Sequence, residues 1–297
     1  MNMKAQSLSV VVPNSRCINN CKFCVSKMSE SPYKNQMDDN LPFFDLYLKD
    51  YLKRLNFAQR NGCNTIMLTG DSEPQQNRKF LTYFGLFMQL MKNPFDWIEI
   101  QTTGVLLDQN YLRFLRNHVG VNVISLSLSS FDNQRNSDII HFPNGSEVNI
   151  EFLCSEIKRY DFTLRLSLNL SQEFNMTPHE LFEKAKELGA DQVTLRVLYE
   201  NSDNIDEANW VRDHKLTEEQ VEEIHNYVKV HGIVTGYLPY GATKYSLHGM
   251  SIVIDRDCMA KNTKGVENSE IDTYKYFILR PDGKLYSSWD DPASLIF

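Results

Sequence analysis

The feature that most constrains the fold is a repeated alternation of two kinds of segment. Apolar runs of strand length, beginning with SLSVVVP at 7–13, are each followed by an amphipathic stretch of helical length, and the order repeats about six times. Near-continuous apolar strands that alternate with helices are typical of a parallel sheet covered by helices. Six such units fit an open barrel better than a closed barrel of eight. The predicted fold class is therefore α/β, a partial (β/α)6 TIM-like barrel.

The loops that follow the carboxyl ends of the strands are the place to look for a site. In barrels of this kind those loops build the active site, because parallel strands all end at the same face. The informative loops are expected to start near Pro13, Gly70, Thr102, Ser127, Asn169 and Arg196.

The character of the sequence changes in its last third. One more amphipathic helix, LTEEQVEEIHNYVKVHG, precedes strand-like runs, and the turn sequence RPDGK joins two of them into a predicted hairpin. We divide the chain into a barrel core at 1–210 and a C-terminal α+β extension at 211–297, which acts as a substrate lid or as a cap on the barrel bottom. Candidate substrate contacts there are Tyr240, Tyr245 and Trp289, although aromatic residues at strand spacing more often belong to a core.

Charge and composition narrow the classes of partner. The formal net charge is -7 and the pI is near 5.6, so no overall basic field exists that would hold a nucleic-acid backbone. No apolar run approaches the length of a membrane span, and MNMKAQSLSVVVP lacks the features of a signal peptide. These observations predict a cytoplasmic protein with neither a nucleic-acid nor a membrane partner.

Three of the six cysteines stand alone in the sequence. Because the cytosol keeps thiols reduced, burial or metal binding explains them better than a disulfide framework. Cys63, before an apolar run, and Cys154, inside IEFLCSEI, are expected to be buried structural thiols. Cys258 lies in the more polar DRDCMAKN and has no assigned role.

The other three cysteines crowd into one loop directly after the first predicted strand. Cys17, Cys21 and Cys24 have three and then two residues between them in CINNCKFC. Thiolates are ligands of iron-sulfur clusters and of structural zinc, and a closed zinc site takes four ligands. The loop holds no fourth cysteine, and the nearest histidine is the distant His118. The pattern indicates a metal site with an exchangeable fourth position.

The motif CINNCKFC resembles the CxxxCxΦC signature of the radical S-adenosylmethionine (SAM) superfamily, with the aromatic Phe23 before the third cysteine. The resemblance implies that Cys17, Cys21 and Cys24 hold three irons of one 4Fe-4S cluster. The fourth iron would bind the amino and carboxylate groups of SAM, with Phe23 beside it. A second cluster is not expected, because no further set of thiols stands at local spacing.

The loop LTGDSEP at the end of the second predicted strand resembles the GxGEP loop of the same superfamily. Gly70 and Glu73 match, and Ser72 replaces the second glycine. The resemblance implies that the backbone of this loop lies near SAM and that Glu73 accepts a hydrogen bond from the SAM ammonium group.

Four later strand ends carry single matches. IQTTG resembles the third-strand TTNG ending and ISLSLSSFD the fourth-strand VSLDSLD, which assigns SAM contacts to Thr102 and Ser127. LRLSLNLSQEFN and VTLRVLYE are similar to the fifth and sixth strands of the molybdenum-cofactor cyclase branch, which assigns Asn169 and Arg196 to the SAM side. The resemblance covers about residues 8–200.

The resemblance implies an oxygen-sensitive enzyme that cleaves SAM reductively to methionine and a 5′-deoxyadenosyl radical, which abstracts hydrogen from a substrate. An electron donor such as flavodoxin or ferredoxin is implied as partner. SSFDNQRN resembles the viperin-like branch as well as the cyclase branch, so a nucleotide, a small molecule or a peptide all stay open as substrate. The alternative from another class is a non-catalytic iron-sulfur or zinc-binding protein, an electron carrier or an interaction module.

Overall fold

The computed structural model describes residues 3–28, 41–143, 146–200, 205–238, 242–254, 272–289 and 291–297. Within these ranges, one sheet of 11 strands forms the centre of the molecule. The strands are β1 (Met3–Val11), β2 (Thr65–Thr69), β3 (Trp97–Thr102), β4 (Val123–Leu128), β5 (Thr163–Leu170), β6 (Gln192–Val197), β7 (Ile233–Tyr237), β8 (Thr243–Leu247), β9 (Met250–Ile254), β10 (Asp272–Leu279) and β11 (Leu285–Tyr286).

Helices follow the first six strands, as the sequence predicts. They are α1 (Val25–Met28), α2 (Leu48–Arg60), α3 (Arg78–Leu90), α4 (Gln109–Phe114), α5 (Asn133–Ile140), α6 (Ile150–Arg159), α7 (Pro178–Glu187), α8 (Asp206–His214) and α9 (Glu218–His231). Leu115–Val119 continues α4 as a π-helical turn. Across the described ranges, every helix is too short or too polar to cross a membrane.

The order of the strands confirms the predicted architecture. Strands β1 to β6 lie side by side in chain order and pair in parallel, and each edge of this core continues into further strands, in the overall order β11-β10-β1-β2-β3-β4-β5-β6-β9-β8-β7. The two ends of the sheet do not pair with each other, so the barrel is open. The fold is an α/β partial barrel with a C-terminal α+β extension.

The extension is built onto both edges of the core sheet. Strand β10 pairs in parallel with β1, and the predicted hairpin joins it to β11. At the other edge β9 pairs in parallel with β6, and the antiparallel strands β8 and β7 complete that side. Tyr240 and Cys258 lie outside the described residues. The division near residue 210 stays a prediction, since one sheet runs through both parts.

Several helix boundaries differ from the expected ones. The amphipathic stretch FFDLYLKDYLKRLNFAQRN predicts a helix over 43–61. The segment begins instead as a 3-10 turn, Leu41–Tyr47, that bends at Phe43 before α2 starts. Helices α5 and α8 occupy segments in which we predicted no helix. The sequence of α5, NQRNSDII, has too few apolar residues for a periodic pattern, and Asp132 caps it by accepting a hydrogen bond from the backbone N–H of Arg135.

The two faces of the core sheet differ in polarity. Side chains that point toward the helices are apolar and buried, as in Leu8 and Val10, Ile66 and Leu68, or Ile124 and Leu126. The alternate positions of the same strands are largely polar and face the inside of the open barrel. The hydrophobic core therefore lies between sheet and helices, and the interior is left as a polar chamber.

Candidate active site

A cavity of about 630 Å³ occupies the inside of the barrel at the carboxyl ends of the strands. The cysteine loop and the loops after β2 and β3 form its mouth, and side chains of the strands form its wall. Most of the residues singled out from the sequence line it together: Cys17, Cys21, Phe23, Cys24, Gly70, Ser72, Glu73, Thr102, Ser127, Asn169, Arg196 and Trp289.

The cysteine loop is fixed in place by polar side chains of its neighbours. The Nδ2 atom of Asn14 donates to the Glu73 carbonyl at 3.2 Å, and Asn77 Nδ2 donates to the Pro13 carbonyl at 2.5 Å. Gln76 bonds the loop twice, accepting from the Ile18 N–H and donating to the Arg16 carbonyl. Side chains thus satisfy three backbone polar groups of a loop without regular structure, which helps to hold the thiols in position.

The three thiols are partly buried in this loop. Burial raises the pKa of Cys17, and burial together with the neighbouring thiolates of Cys24 and Cys17 raises the pKa of Cys21 well above its usual range. Thiols with raised pKa values stay protonated unless a cation stabilises their thiolate form, and a metal centre supplies that positive charge. The chemistry of these three side chains therefore fits a thiolate-ligated metal centre.

The loop after β2 brings a carboxylate into the cavity. Gly70 has a φ of +149°, and a Cβ at that position would lie 3.3 Å from Val11 Cγ1 and 3.4 Å from the Val12 nitrogen. Glu73 is buried, and its Oε2 accepts from the N–H and the hydroxyl of Thr103 at 2.9 and 3.0 Å. Burial raises the pKa of the Glu73 carboxyl. The Oε1 atom has no hydrogen-bond partner among the described residues, so it can accept from a bound ligand.

Thr103 links this carboxylate to the cysteine loop. Its hydroxyl donates to Glu73 and accepts from Nδ2 of the buried Asn19 at 2.9 Å. The neighbouring Thr102 uses its hydroxyl differently, accepting from the Gly104 N–H at 2.8 Å to fix the turn after β3. Thr102 is buried, and it orients this turn at the edge of the cavity.

Strands β4 to β6 place a second set of polar side chains in the wall of the cavity. Asn169 Nδ2 donates to the hydroxyls of Ser127 and Ser129, each at 3.1 Å. Arg196 donates from Nε to the Ser167 hydroxyl at 2.5 Å. The structure therefore brings the residues matched on three separate strands into one neighbourhood, with a guanidinium beside hydroxyl and amide groups.

Deeper in the chamber lies a charged network that the sequence analysis missed. Glu99, almost fully buried on β3, pairs with Arg165 of β5, and Arg165 Nε also donates to Gln192 of β6 at 2.8 Å. Gln101 Nε2 donates to Glu99 Oε1 at 3.1 Å. The signal was present as strict alternation of apolar and polar residues in IEIQ, TLRLSLNL and QVTLRV, which indicates strands with one polar face.

The C-terminal extension supplies one side of the cavity. Lys275, Tyr276 and Arg280 of β10 and the turn after it line the chamber with Trp289. Arg280 donates to the Trp289 carbonyl, and its guanidinium lies 5.5 Å from the Trp289 ring centroid. Tyr245, in contrast, packs in the hydrophobic core from β8 and does not line the cavity.

Solved structures resemble this fold over most of its length. SuiB of Streptococcus suis bound to the precursor peptide SuiA aligns with a TM-score of 0.59 at 14% identity, covering 96% of this chain and 60% of SuiB. SuiB bound to S-adenosylmethionine aligns at 0.53 and 15% identity, covering 76% and 48%. Native anSMEcpe with bound AdoMet gives 0.55 at 13% identity, covering 98% and 77%. The chain spans only 48% to 60% of the SuiB chains, and at these identities the likeness shows the fold.

The likeness in fold does not establish the family of the chain, and the sequence does. No curated protein matches the chain at a significant level. The sequence pattern described as "Radical SAM superfamily" matches residues 11–163, more than half of the chain, from the cysteine loop to the start of β5. Since that pattern and an open α/β barrel with three cysteines at its mouth occur in one molecule, the chain belongs to the radical SAM superfamily.

Proposed function

We propose that the protein is an enzyme that holds one 4Fe-4S cluster on Cys17, Cys21 and Cys24 and cleaves SAM reductively. One observation carries the proposal: Cys17, Cys21, Cys24 and Glu73 line the same cavity, and the buried Oε1 of Glu73 has no hydrogen-bond partner among the described residues. When bound, the cluster supplies one electron to the SAM sulfonium, whose bond to the 5′ carbon breaks to give methionine and a 5′-deoxyadenosyl radical. That radical takes a hydrogen atom from a substrate C–H bond.

The number of ligands favours this proposal over a structural zinc site. A closed zinc site takes four protein ligands. The cysteine loop supplies three thiols, and the nearest histidine in the sequence is the distant His118. The size of the cavity also argues against a simple electron carrier, which has no need of a substrate chamber.

The residues around the mouth can share the recognition of SAM. Glu73 Oε1 is placed to accept from the ammonium group, and the backbone of Gly70 to Ser72 borders the same space. Arg196 offers a cation for the SAM carboxylate, and the Ser127 and Asn169 side chains offer polar partners for the ribose hydroxyls. In this proposal Thr102 is a positioning residue, since its hydroxyl already holds the turn at Gly104.

The chamber below that mouth is proposed to hold the substrate. Its wall combines charged and polar side chains, among them Arg165, Lys244, Lys275 and Arg280, with a larger apolar area, so it suits a molecule that has both polar and apolar parts. A nucleotide, a polar small molecule or a peptide side chain each satisfies this condition. SuiB, which has the same fold, is bound to a precursor peptide in one structure, which supports including peptides.

The electron is proposed to come from an external one-electron donor such as flavodoxin or ferredoxin. Cys17, Cys21 and Cys24 are only partly buried, so a cluster held by them would lie near the molecular surface. Surface proximity lets a partner protein deliver an electron without opening the barrel.

The proposal is tested by anaerobic reconstitution with iron and sulfide, followed by dithionite reduction in the presence of SAM. We expect a brown protein that forms methionine and 5′-deoxyadenosine only when reduced. Replacing one ligand with Cys21→Ala should abolish both the colour and the cleavage. The matched control is Cys154→Ala, which removes a buried thiol of the core far along the chain. A colourless zinc protein that leaves SAM intact would contradict the proposal.

A further inference from the structure

A group of potential metal ligands lies outside the cavity, where helix α7 meets the turn between β8 and β9. One ligand atom from each of His179, Glu183 and His248 lies within 4.8 Å of the others. His179 and Glu183 are four positions apart, so they stand on the same face of α7. In the described part of the chain, this is the one set of three such side chains at that spacing.

The backbone fixes His248 toward this helix. His248 and Gly249 form the tight turn between the antiparallel strands β8 and β9 and have positive φ values of 52° and 84°. The His248 Nδ1 atom lies 3.3 Å from Glu183 Oε1, and the buried Nε2 has no hydrogen-bond partner within the described residues. The imidazole is therefore held in place by the chain without being locked into a complete hydrogen-bond network.

A contact with Tyr227 orients His179. Its Nδ1 lies 2.9 Å from the hydroxyl of Tyr227 on α9, and the Tyr227 ring stacks on Phe182 with a centroid distance of 5.8 Å. A histidine that ligates a metal through one ring nitrogen commonly bonds a polar group through the other. Contact of Nδ1 with Tyr227 leaves Nε2 of His179 as the nitrogen able to bind an ion.

We propose that His179, Glu183 and His248 bind a divalent transition-metal ion, with zinc as the ion that best fits the ligand set. Tetrahedral zinc with bonds of about 2.0–2.1 Å places neighbouring ligand atoms roughly 3.3 Å apart, which matches the distance between His248 Nδ1 and Glu183. The His179 ligand atom lies within 4.8 Å of the other two, and water takes the fourth position. The ion ties the β7–β8–β9 strands to helix α7, and it is independent of the cluster and of the proposed function.

The test is zinc titration by calorimetry on an untagged full-length chain in which Cys17→Ser, Cys21→Ser and Cys24→Ser remove the competing thiols. We expect one zinc ion per chain, and a melting temperature that rises with zinc because the ion binds the folded state. Adding His179→Gln or His248→Asn should weaken zinc affinity by roughly tenfold or more and remove the thermal shift. Asparagine is chosen at 248 because it tolerates positive φ.

The matched control is His141→Asn, which replaces an exposed histidine that also has a positive φ, 55°, and lies outside the ligand set. It should leave the zinc titration unchanged. Because His179 is exposed, His179→Gln is expected to fold even if the turn variant is unstable. Absence of zinc binding in the parent, or unchanged zinc affinity in His179→Gln, would overturn the proposal.

Discussion

Glu73 is the residue whose environment best distinguishes a ligand site from a structural ion pair. Its side chain is buried, one oxygen is satisfied by Thr103, and the other has no partner within the described chain. A buried acceptor without a partner costs free energy unless a ligand donates to it. The SAM ammonium group is the donor that the proposed function supplies.

Glu73→Gln is therefore expected to weaken SAM binding while keeping the shape of the side chain. A hydrogen bond between charged groups contributes about 1.5–3 kcal/mol, so the Kd for SAM should rise roughly ten- to hundredfold. Equilibrium dialysis with labelled SAM measures it. Glu151→Gln, an exposed change on α6, is the control that should leave the Kd unchanged. An unaltered Kd in Glu73→Gln would remove Glu73 from the SAM site.

Thr103 is expected to act through its two hydrogen bonds rather than by touching SAM. Thr103→Val keeps the volume but removes the hydroxyl between Glu73 and Asn19, leaving buried polar atoms unsatisfied. We predict a loss of about 1–3 kcal/mol in the free energy of unfolding, measured by urea denaturation. Thr103→Ser retains the hydroxyl and should recover most of that loss. A Thr103→Val variant as stable as the parent, or a Thr103→Ser variant as unstable as Thr103→Val, would contradict this role of the hydroxyl.

At the scale of single residues, the sequence predicted the candidate ligands better than the residues that hold them in place. The cysteines and Glu73 belong to short motifs with a fixed spacing, and they line one cavity as expected. Asn19 and Gln76 hold the cysteine loop but were not predicted. Polar loop residues have no periodicity, and their partners are set by tertiary contacts, so their role was visible only in the structure.

At the scale of secondary-structure elements, the conformation of the loop after β2 depends on one glycine, Gly70. Gly70→Ala places a Cβ against Val11 and the Val12 backbone in a conformation that residues with side chains rarely adopt. We predict a cost of about 1–3 kcal/mol in the free energy of unfolding, measured by urea denaturation. Gly236→Ala on β7 is the matched control: its Cβ would meet no atom within 4 Å, and the change should stay within about 0.5 kcal/mol. Equal effects at both positions would contradict this role for Gly70.

Helices and strands with a strong periodicity of apolar residues were predicted well, and those without it were missed. Strands β1 to β6 have regular apolar positions, and each was expected close to its observed place. Strands β7 and β8 were not predicted, and three of the five side chains of β7 are exposed hydrophobics. A strand at the edge of a sheet packs against few neighbours, so its sequence has no buried pattern that local reasoning can detect.

At the scale of the whole molecule, the two ends of the chain meet. Strand β10 pairs with β1 along seven residue pairs, from Met3 with Asp272 to Val10 with Leu279. Pairing over such a separation is decided by tertiary packing, and no local pattern in either segment predicts it. This pairing brings Arg280 and Trp289 to the chamber that the cysteine loop also lines.

The polar interior is also a property of the whole barrel. Each strand contributes only one or two inward side chains, yet together they surround the cavity with charged and hydroxyl groups. Under the proposed function, these side chains would hydrogen-bond the polar groups of a substrate and fix its position relative to the mouth. SAM would then bind at the mouth and the substrate below it.

The central claim is that the three cysteines hold a cluster whose open iron takes SAM. Electron paramagnetic resonance of the reconstituted, reduced protein, recorded with and without SAM, tests it directly. We predict one 4Fe-4S signal per chain whose g values shift on addition of SAM, with the shift weakened in Glu73→Gln and the signal lost in Cys21→Ala. A cluster signal that SAM does not change, or an equal signal in Cys21→Ala, would contradict the claim.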